Sequence, residues 1–204
     1  MSDAARRTTH LIQLAGRGAI VVASLYFIFE ALRFFSFDPQ VLGKYFRLRW
    51  VIMGHITGGA IALLLGPIQL YDPFRTRYPK AHRIVGRVYV GAIAVGAACA
   101  LTLASTTAPA VNWPYAVSLD ALAAVWVVST GVAWRTAVRR RFVEHREWAI
   151  RSYIATVAFV AQSLTIEIPF LRRHFVDAAA SLIWLSWTVP MFVYDCLRAM
   201  RRPR

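Results

Sequence analysis

The stretch "GHITGGAIALLLGPIQL", residues 54–70, decides the fold, because it contains no Asp, Glu, Lys or Arg. With the apolar residues before it, the stretch reaches the ~20 residues that a helix needs to cross a bilayer. His55 lies inside this run, and lipid offers an imidazole no hydrogen-bond partner. The stretch therefore predicts a transmembrane helix whose histidine faces a neighbouring helix.

The composition favours the same class of protein. The 204 residues are 58% hydrophobic and 17% charged, and the mean hydropathy is +0.48. A net charge of +14 would suggest nucleic acid in a soluble protein. Beside membrane spans, however, basic residues set orientation and contact anionic lipid heads. We therefore expect a bilayer with anionic lipids as the partner, and no nucleic acid.

Several common site motifs are absent from the sequence. It contains no CxxC or CxxCH, and no GxSxG, HExxH or Walker A pattern. Zinc, dithiol and c-type haem sites, and the common hydrolase and nucleotide sites, therefore have no support in sequence. Whether the chain is an enzyme stays open.

Six segments have the length and composition of a transmembrane helix, and short loops join them. Antiparallel neighbouring helices follow from such short connections. The sequence thus predicts an all-α fold: one membrane domain over residues 1–204, a helical bundle with spans at 14–35, 50–71, 84–107, 118–138, 147–170 and 178–200.

The basic residues predict the orientation of this bundle. Of the 24 Lys and Arg residues, 18 lie at the N-terminus, within 75–87, within 135–151 and at the C-terminus, whereas 6 lie on the opposite side. Positive charge is retained on the cytoplasmic side of a membrane. Both termini and the two basic connections are therefore predicted to be cytoplasmic.

Small residues predict where helices approach closely. Gly54 and Gly58 form a GxxxG pattern around His55, and Ala92, Gly96 and Ala100 repeat every four residues in the third span. Such faces bring backbones together in lipid. We expect packing within one chain, and an oligomer contact is the alternative.

Polar residues at membrane depth are the first group of site candidates. His55 and Gln69 share one face of the second span, and Gln162 and Arg151 share one face of the fifth. We expect the two faces to pair, with Gln162 as the partner of His55 in preference to Glu30. A structural hydrogen bond and a role in binding a ligand or a proton are both open for His55.

A second group lies at the predicted cytoplasmic ends of the third and fifth spans. "HRIVGRVY", residues 82–89, and "EHREWAIRSY", residues 144–153, place two histidines at similar depth. Two imidazoles on facing helices are what haem b needs as axial ligands, and arginines suit its propionates or another anionic head group. An interfacial belt of snorkelling side chains is the alternative. The candidates are His82, Arg83, Arg87, Tyr89, His145 and Arg151, with Asp195 of the sixth span as counter-charge.

Three motifs in these segments carry a resemblance to a family. "GHITGGAIALLLGPIQL" contains a histidine and GPxQ, "RYPKAHRIVGRVYV" contains HRxxGRxYV, and "EHREWAIRSYIATVAFV" contains HxxWxxRSY. Together they resemble a large family of bacterial multi-pass membrane proteins classed as a domain of unknown function. The resemblance covers roughly residues 50–170 and implies the bacterial inner membrane. The matching positions are His55, Gly66, Pro67, Gln69, His82, Arg83, Gly86, Arg87, Tyr89, His145, Trp148, Arg151, Ser152 and Tyr153.

Three functions remain open from the sequence. The first is a membrane protein that binds haem b, through His82 and His145, or another anionic ligand at the cytoplasmic-side His/Arg cluster. The second is a non-enzymatic structural or assembly subunit. The third is a small proton-coupled transporter that uses His55 and Glu30, although the chain has no evident internal repeat.

Overall fold

The computed structural model describes the backbone of residues 3–201 and the side chains of residues 15, 16, 18–165 and 167–200. Within that part there is no β-strand, and 3-10 turns at Leu32–Phe35 and Gly43–Leu48 separate the first three α-helices. The helices are α1 Asp3–Ala31, α2 Pro39–Leu42, α3 Arg49–Gln69, α4 Asp72–Arg77, α5 Pro79–Thr106, α6 Trp113–Val138, α7 Phe142–Ile166, α8 Pro169–Arg173 and α9 Phe175–Arg201.

The described chain is an all-α membrane bundle, as the sequence predicts. Five stretches are long and apolar enough to cross a membrane: Gly18–Phe35, Pro39–Gln69, Pro79–Thr106, Trp113–Val138 and Phe175–Met200. The remaining long helix, α7, has 25 residues, and its first ten include four charged ones. The count of six spans and the orientation of the termini stay predictions.

The helices begin before the predicted spans do. α5 begins at Pro79 and α6 at Trp113, each about one turn ahead of the predicted apolar segment. Proline is favoured in the first turn of a helix, and Pro79 and Pro114 both lie there. At α6 the Asn112 side chain also accepts a hydrogen bond from the Tyr115 amide at 2.7 Å. Hydropathy marks only the apolar part of such helices.

The closest helix contact joins α3 to α5. A Cβ added at Gly58 would lie 2.5 Å from the Ala92 carbonyl oxygen and 2.8 Å from the Gly96 nitrogen. The GxxxG face therefore packs within the chain, as expected. The prediction that it faces the fifth span, α7, is wrong, because the small residues of α5 supply the complementary surface.

A layer of hydrogen-bonded side chains ties α5, α6 and α7 together in the middle of the bundle. The Tyr89 hydroxyl lies 3.0 Å from Ser152 Oγ and 3.3 Å from Thr156 Oγ1. Ser152 Oγ lies 2.7 Å from Thr130 Oγ1, and the Trp126 indole N–H donates to Thr156 Oγ1 at 2.8 Å. We call these five residues the polar layer. All five are buried.

Candidate functional site: the motif cavity

A cavity of about 1130 Å³ opens where α3 ends and where α5 and α7 begin. We call it the motif cavity, because the residues of the three sequence motifs gather around it. Six of the candidate residues line it, and these are Gln69, His82, Arg83, Arg87, Tyr89 and His145.

The glycines of the motifs make this arrangement possible. The Gln69 side-chain amide donates to the His82 carbonyl oxygen at 3.1 Å and so holds the end of α3 against the start of α5. A Cβ at Gly86 would lie 3.2 Å from Gln69 Oε1, and a Cβ at Gly66 would collide with the Tyr153 ring. Each glycine therefore leaves room for a side chain of another helix.

His145 is held in one defined orientation. Its Nδ1–H donates to the Ala133 carbonyl oxygen of α6 at 2.8 Å. In this tautomer Nε2 carries the lone pair, and this is the nitrogen through which histidines usually bind metals when Nδ1–H is held by a carbonyl. His145 therefore has the second-shell contact of a metal-binding imidazole.

The His82 ring has an unsatisfied hydrogen-bonding nitrogen, unlike that of His145. Its Nδ1 is buried and has no hydrogen-bond partner among the described residues. The ring lies edge-on to Phe74, with centroids 6.3 Å apart, and it lies near His145 and Arg75. The structure thus brings the two predicted histidines into one cavity, as their matched depth suggested.

Part of the charge around the cavity is paired. Asp72 at the start of α4 contacts Arg75 at 3.3 Å and Arg146 of α7 at 3.0 Å. Glu147 contacts Arg198 of α9 at 2.6 Å. These ion pairs join three segments that are far apart in sequence, and all five side chains line the cavity.

Two arginines remain without a counter-charge. Arg83 and Arg87 are exposed, line the cavity, and form no ion pair with any described residue. The lining therefore contains five arginines and only two carboxylates. Much of the remaining wall is apolar and includes Val90, Trp134, Val138, Phe142, Val143 and Leu197.

Arg151 and Asp195 form a separate contact with each other. The Arg151 guanidinium hydrogen-bonds to the Asp195 carboxylate, and it lies over the rings of Trp148 at 5.0 Å and Tyr194 at 5.2 Å. The expectation that Asp195 is a counter-charge near these arginines agrees with this geometry. The pair ties α7 to α9 and does not line the motif cavity.

His55 lies in the opposite half of the bundle. Its Nδ1–H donates to the Gly96 carbonyl oxygen of α5 at 3.0 Å, and its ring meets Phe159 of α7 edge-on at 5.8 Å. The prediction that Gln162 is its partner is wrong, because the glycine contact brings the α5 backbone closer. Gln162 is buried beside Tyr115 instead.

A second cavity of about 190 Å³ lies beside His55, and we call it the His55 cavity. Glu30 does not line it, since Glu30 is on the exposed side of α1 and faces Arg33 at 3.9 Å. The His55–Glu30 pair of the transporter hypothesis is therefore not formed.

Several residues of the site carry no recognisable signal in the sequence. Arg75, Arg146 and Arg198 are ordinary flanking charges by sequence, and Thr130 is an ordinary small residue in an apolar helix. Only the packing of four helices brings them to one cavity. Among the described residues, no group of three or more His, Cys, Asp or Glu side chains could hold a metal ion.

Comparison with known protein families gives a match over most of the chain. A family model with the description "Predicted membrane protein (DUF2306)" matches residues 52–197. This range contains every residue that lines the motif cavity except Arg198. No curated protein and no solved structure matches the chain.

Proposed function

The chain belongs to the DUF2306 family of predicted membrane proteins, and from that premise we propose that it binds an anionic amphiphile in the motif cavity. The observation that carries the proposal is the surplus of positive charge in a large and mostly apolar cavity. Five arginines and two carboxylates line about 1130 Å³. Ligand sites of ~300–1,000 Å³ are typical of small molecules and cofactors, so the space suffices for one.

The unpaired arginines define the chemistry of the ligand. Arg83 and Arg87 lie one helical turn apart at the start of α5, so both guanidinium groups can reach one anionic head. Guanidinium groups bind carboxylates and phosphates in a bidentate manner. The apolar wall suits the body of such a ligand, and the described lining thus matches an amphiphile better than a free ion.

Haem b is the member of this ligand class that a specific observation favours. The His145 Nδ1–H bond to Ala133 leaves Nε2 free to coordinate iron. His82 lines the same cavity, and two imidazoles are the donor set of a b-type haem. Bound haem would supply one-electron chemistry, whereas the arginines would hold its propionates.

We also propose on which side of the membrane the motif cavity opens, and in which compartment. The connections around residues 75–87 and 135–151 carry the larger share of the basic residues, and both contribute to the lining. The positive-inside rule favours a cavity that opens to the cytoplasm of a bacterial inner membrane. Anionic lipid heads are abundant at such a surface and are the other source of ligand.

The first experiment tests anion binding. In one assay the purified protein is titrated with haem. In a second assay the protein is placed in nanodiscs, and its affinity for a phosphatidylglycerol probe is compared with its affinity for a phosphatidylcholine probe. Replacing both Arg83 and Arg87 with Gln should lower the affinity for the ligand at least tenfold. Arg139→Gln with Arg140→Gln removes the same charge outside the cavity and should change affinity less than twofold. Equal losses in the two double variants, or no binding by the native protein, would overturn the proposal.

The second experiment separates the two ligand sources. If haem is bound, the protein shows a Soret band and a sharp reduced α-band, and His145→Ala abolishes both. His174 also donates its Nδ1–H to a carbonyl, that of Phe170 at 2.9 Å, but it is exposed at the residue after α8. His174→Ala should therefore keep the spectrum. A protein that takes up no haem but binds phosphatidylglycerol leaves the lipid as the ligand.

A further inference from the structure

The five residues of the polar layer divide between the linings of the two cavities. Trp126 and Thr156 line the His55 cavity, whereas Tyr89, Thr130 and Ser152 line the motif cavity. These five side chains are joined to each other by hydrogen bonds. The geometry points to a proton path across the bundle, from one cavity through the hydroxyl groups of this layer to the other.

The hydroxyl groups form an unbroken chain. Thr156 Oγ1 lies 3.3 Å from the Tyr89 hydroxyl oxygen. The Tyr89 oxygen lies 3.0 Å from Ser152 Oγ. Ser152 Oγ in turn lies 2.7 Å from Thr130 Oγ1. Each distance lies within or close to the range of an O–H···O hydrogen bond. We call these four residues the hydroxyl chain. Its first member faces the His55 cavity and its other three face the motif cavity.

Backbone contacts orient the chain at rest. Thr130 donates to the Trp126 carbonyl oxygen at 2.7 Å, so its oxygen accepts from Ser152, and Ser152 accepts from Tyr89. Thr156 likewise donates to the Ser152 carbonyl oxygen at 2.9 Å. Each hydroxyl has one proton and two lone pairs, so the Tyr89–Ser152 and Ser152–Thr130 links each hold one proton at rest. The Tyr89–Thr156 link gains its proton when the Thr156 hydroxyl rotates from the Ser152 carbonyl oxygen toward Tyr89.

Proton transfer along the chain leaves the protein unchanged. The Thr156 hydroxyl first rotates from the Ser152 carbonyl oxygen toward Tyr89, and Thr156 Oγ1 then takes up a proton from the His55 cavity while it passes its own proton to Tyr89. Tyr89 passes one proton to Ser152 and Ser152 passes one to Thr130. These three residues all line the motif cavity, so the relay releases its proton there. Rotation of the four hydroxyls restores the starting orientation. The driving force is the proton gradient and the membrane potential, and no other reactant is consumed.

Both ends of the path reach residues at the surface. The lining of the His55 cavity includes Lys44, which is exposed and lies before α3. The lining of the motif cavity includes the exposed Arg83 and Arg87. Protons can thus be exchanged with water on either side of the layer.

Proton flux through proteoliposomes tests the inference. A pH-sensitive dye is enclosed with the full-length protein, and a potassium gradient with valinomycin sets the potential. The native protein should conduct protons faster than protein-free liposomes. Thr156→Val removes the hydroxyl at nearly the same volume and should lower the flux at least tenfold. Thr156→Ser restores the hydroxyl and should keep the flux within twofold of the native protein.

A matched pair of variants distinguishes conduction from packing. Thr156 and Thr136 are both buried, at 6% and 4% exposure, but Thr136 donates only to carbonyls of its own helix, those of Val132 and Ala133. Thr156→Val should lower the flux at least tenfold, and Thr136→Val should leave it near the native rate. The inference is overturned if the native protein conducts no faster than empty liposomes, or if both valine variants conduct like the native protein.

Discussion

The two ends of α3 make the same contact in very different surroundings. His55 near its start donates to the Gly96 carbonyl at 3.0 Å, and Gln69 at its end donates to the His82 carbonyl at 3.1 Å. The cavity beside His55 measures about 190 Å³, and Lys44 is the one charged residue among those that line it in the described chain. The cavity beside Gln69 measures about 1130 Å³ and is rich in arginine.

A polar residue inside a span does not by itself indicate a ligand site. Both side chains satisfy a hydrogen bond to the same neighbouring helix, so the presence of His55 in an apolar run is explained by a helix contact. A ligand site needs space and charge in addition, and those come from the connections between helices at the Gln69 end. Three predictions test the shared contact and the difference.

The largest effect is expected at the contact of Gly58 with α5, because both ends of α3 depend on it. Gly58→Ala places a Cβ 2.5 Å from the Ala92 carbonyl oxygen and forces α3 and α5 apart. It should lower the free energy of unfolding by ~1–3 kcal/mol, the usual cost of overpacking, or more because backbone atoms are in contact. Thermal unfolding in detergent, followed by size-exclusion chromatography, measures the loss.

Gly59 supplies the matched control for this substitution. It is the next residue on the same helix, and a Cβ there would meet nothing within 4 Å. Gly59→Ala should therefore unfold at or slightly above the native temperature. Similar melting temperatures for Gly58→Ala and Gly59→Ala would mean that the two helices are not in close contact.

The sequence predicts the α3–α5 contact only in part. The spacing of Ala92, Gly96 and Ala100 marks a small-residue face, and Gly58 marks its complement. The pairing of these two faces could have been predicted from that pattern. The acceptors of His55 and Gln69 could not, because both are backbone carbonyls, which every residue carries.

The site was predictable to a similar degree. Its two histidines begin helices at matched depth, and this pattern alone predicts that His82 and His145 lie close together. The ion pair between Asp72 and Arg146 joins residues that are 74 positions apart, and no periodicity connects them. The size of the cavity is likewise a property of the packed helices.

An intermediate effect is expected from removing the two polar contacts. His55→Leu and Gln69→Leu should each cost ~0.6–2 kcal/mol of stability, as expected for a hydrogen bond between helices in a membrane. Only Gln69→Leu should also lower the affinity of the motif cavity for its ligand, because the Gln69 side chain holds the helical turn that carries His82. Thermal unfolding and ligand titration of both variants measure this. An equal loss of affinity in the His55 variant would contradict the separation of the two ends.

The smallest effect is expected from Asp72, a half-buried carboxylate that lines the motif cavity. Asp72→Asn breaks its ion pairs with Arg75 and Arg146, and exposed pairs contribute only ~0.2–1 kcal/mol to stability. The variant also frees both guanidinium groups, so an anionic ligand should bind more tightly, by ~2–5-fold at low ionic strength. The gain should disappear in ~1 M salt, where the screening length is ~3 Å. Lys44→Gln removes the charge of the other cavity and should leave the affinity unchanged. Weaker binding by Asp72→Asn would show that Asp72 orients the two arginines toward the ligand, and that the charge surplus alone does not explain the site.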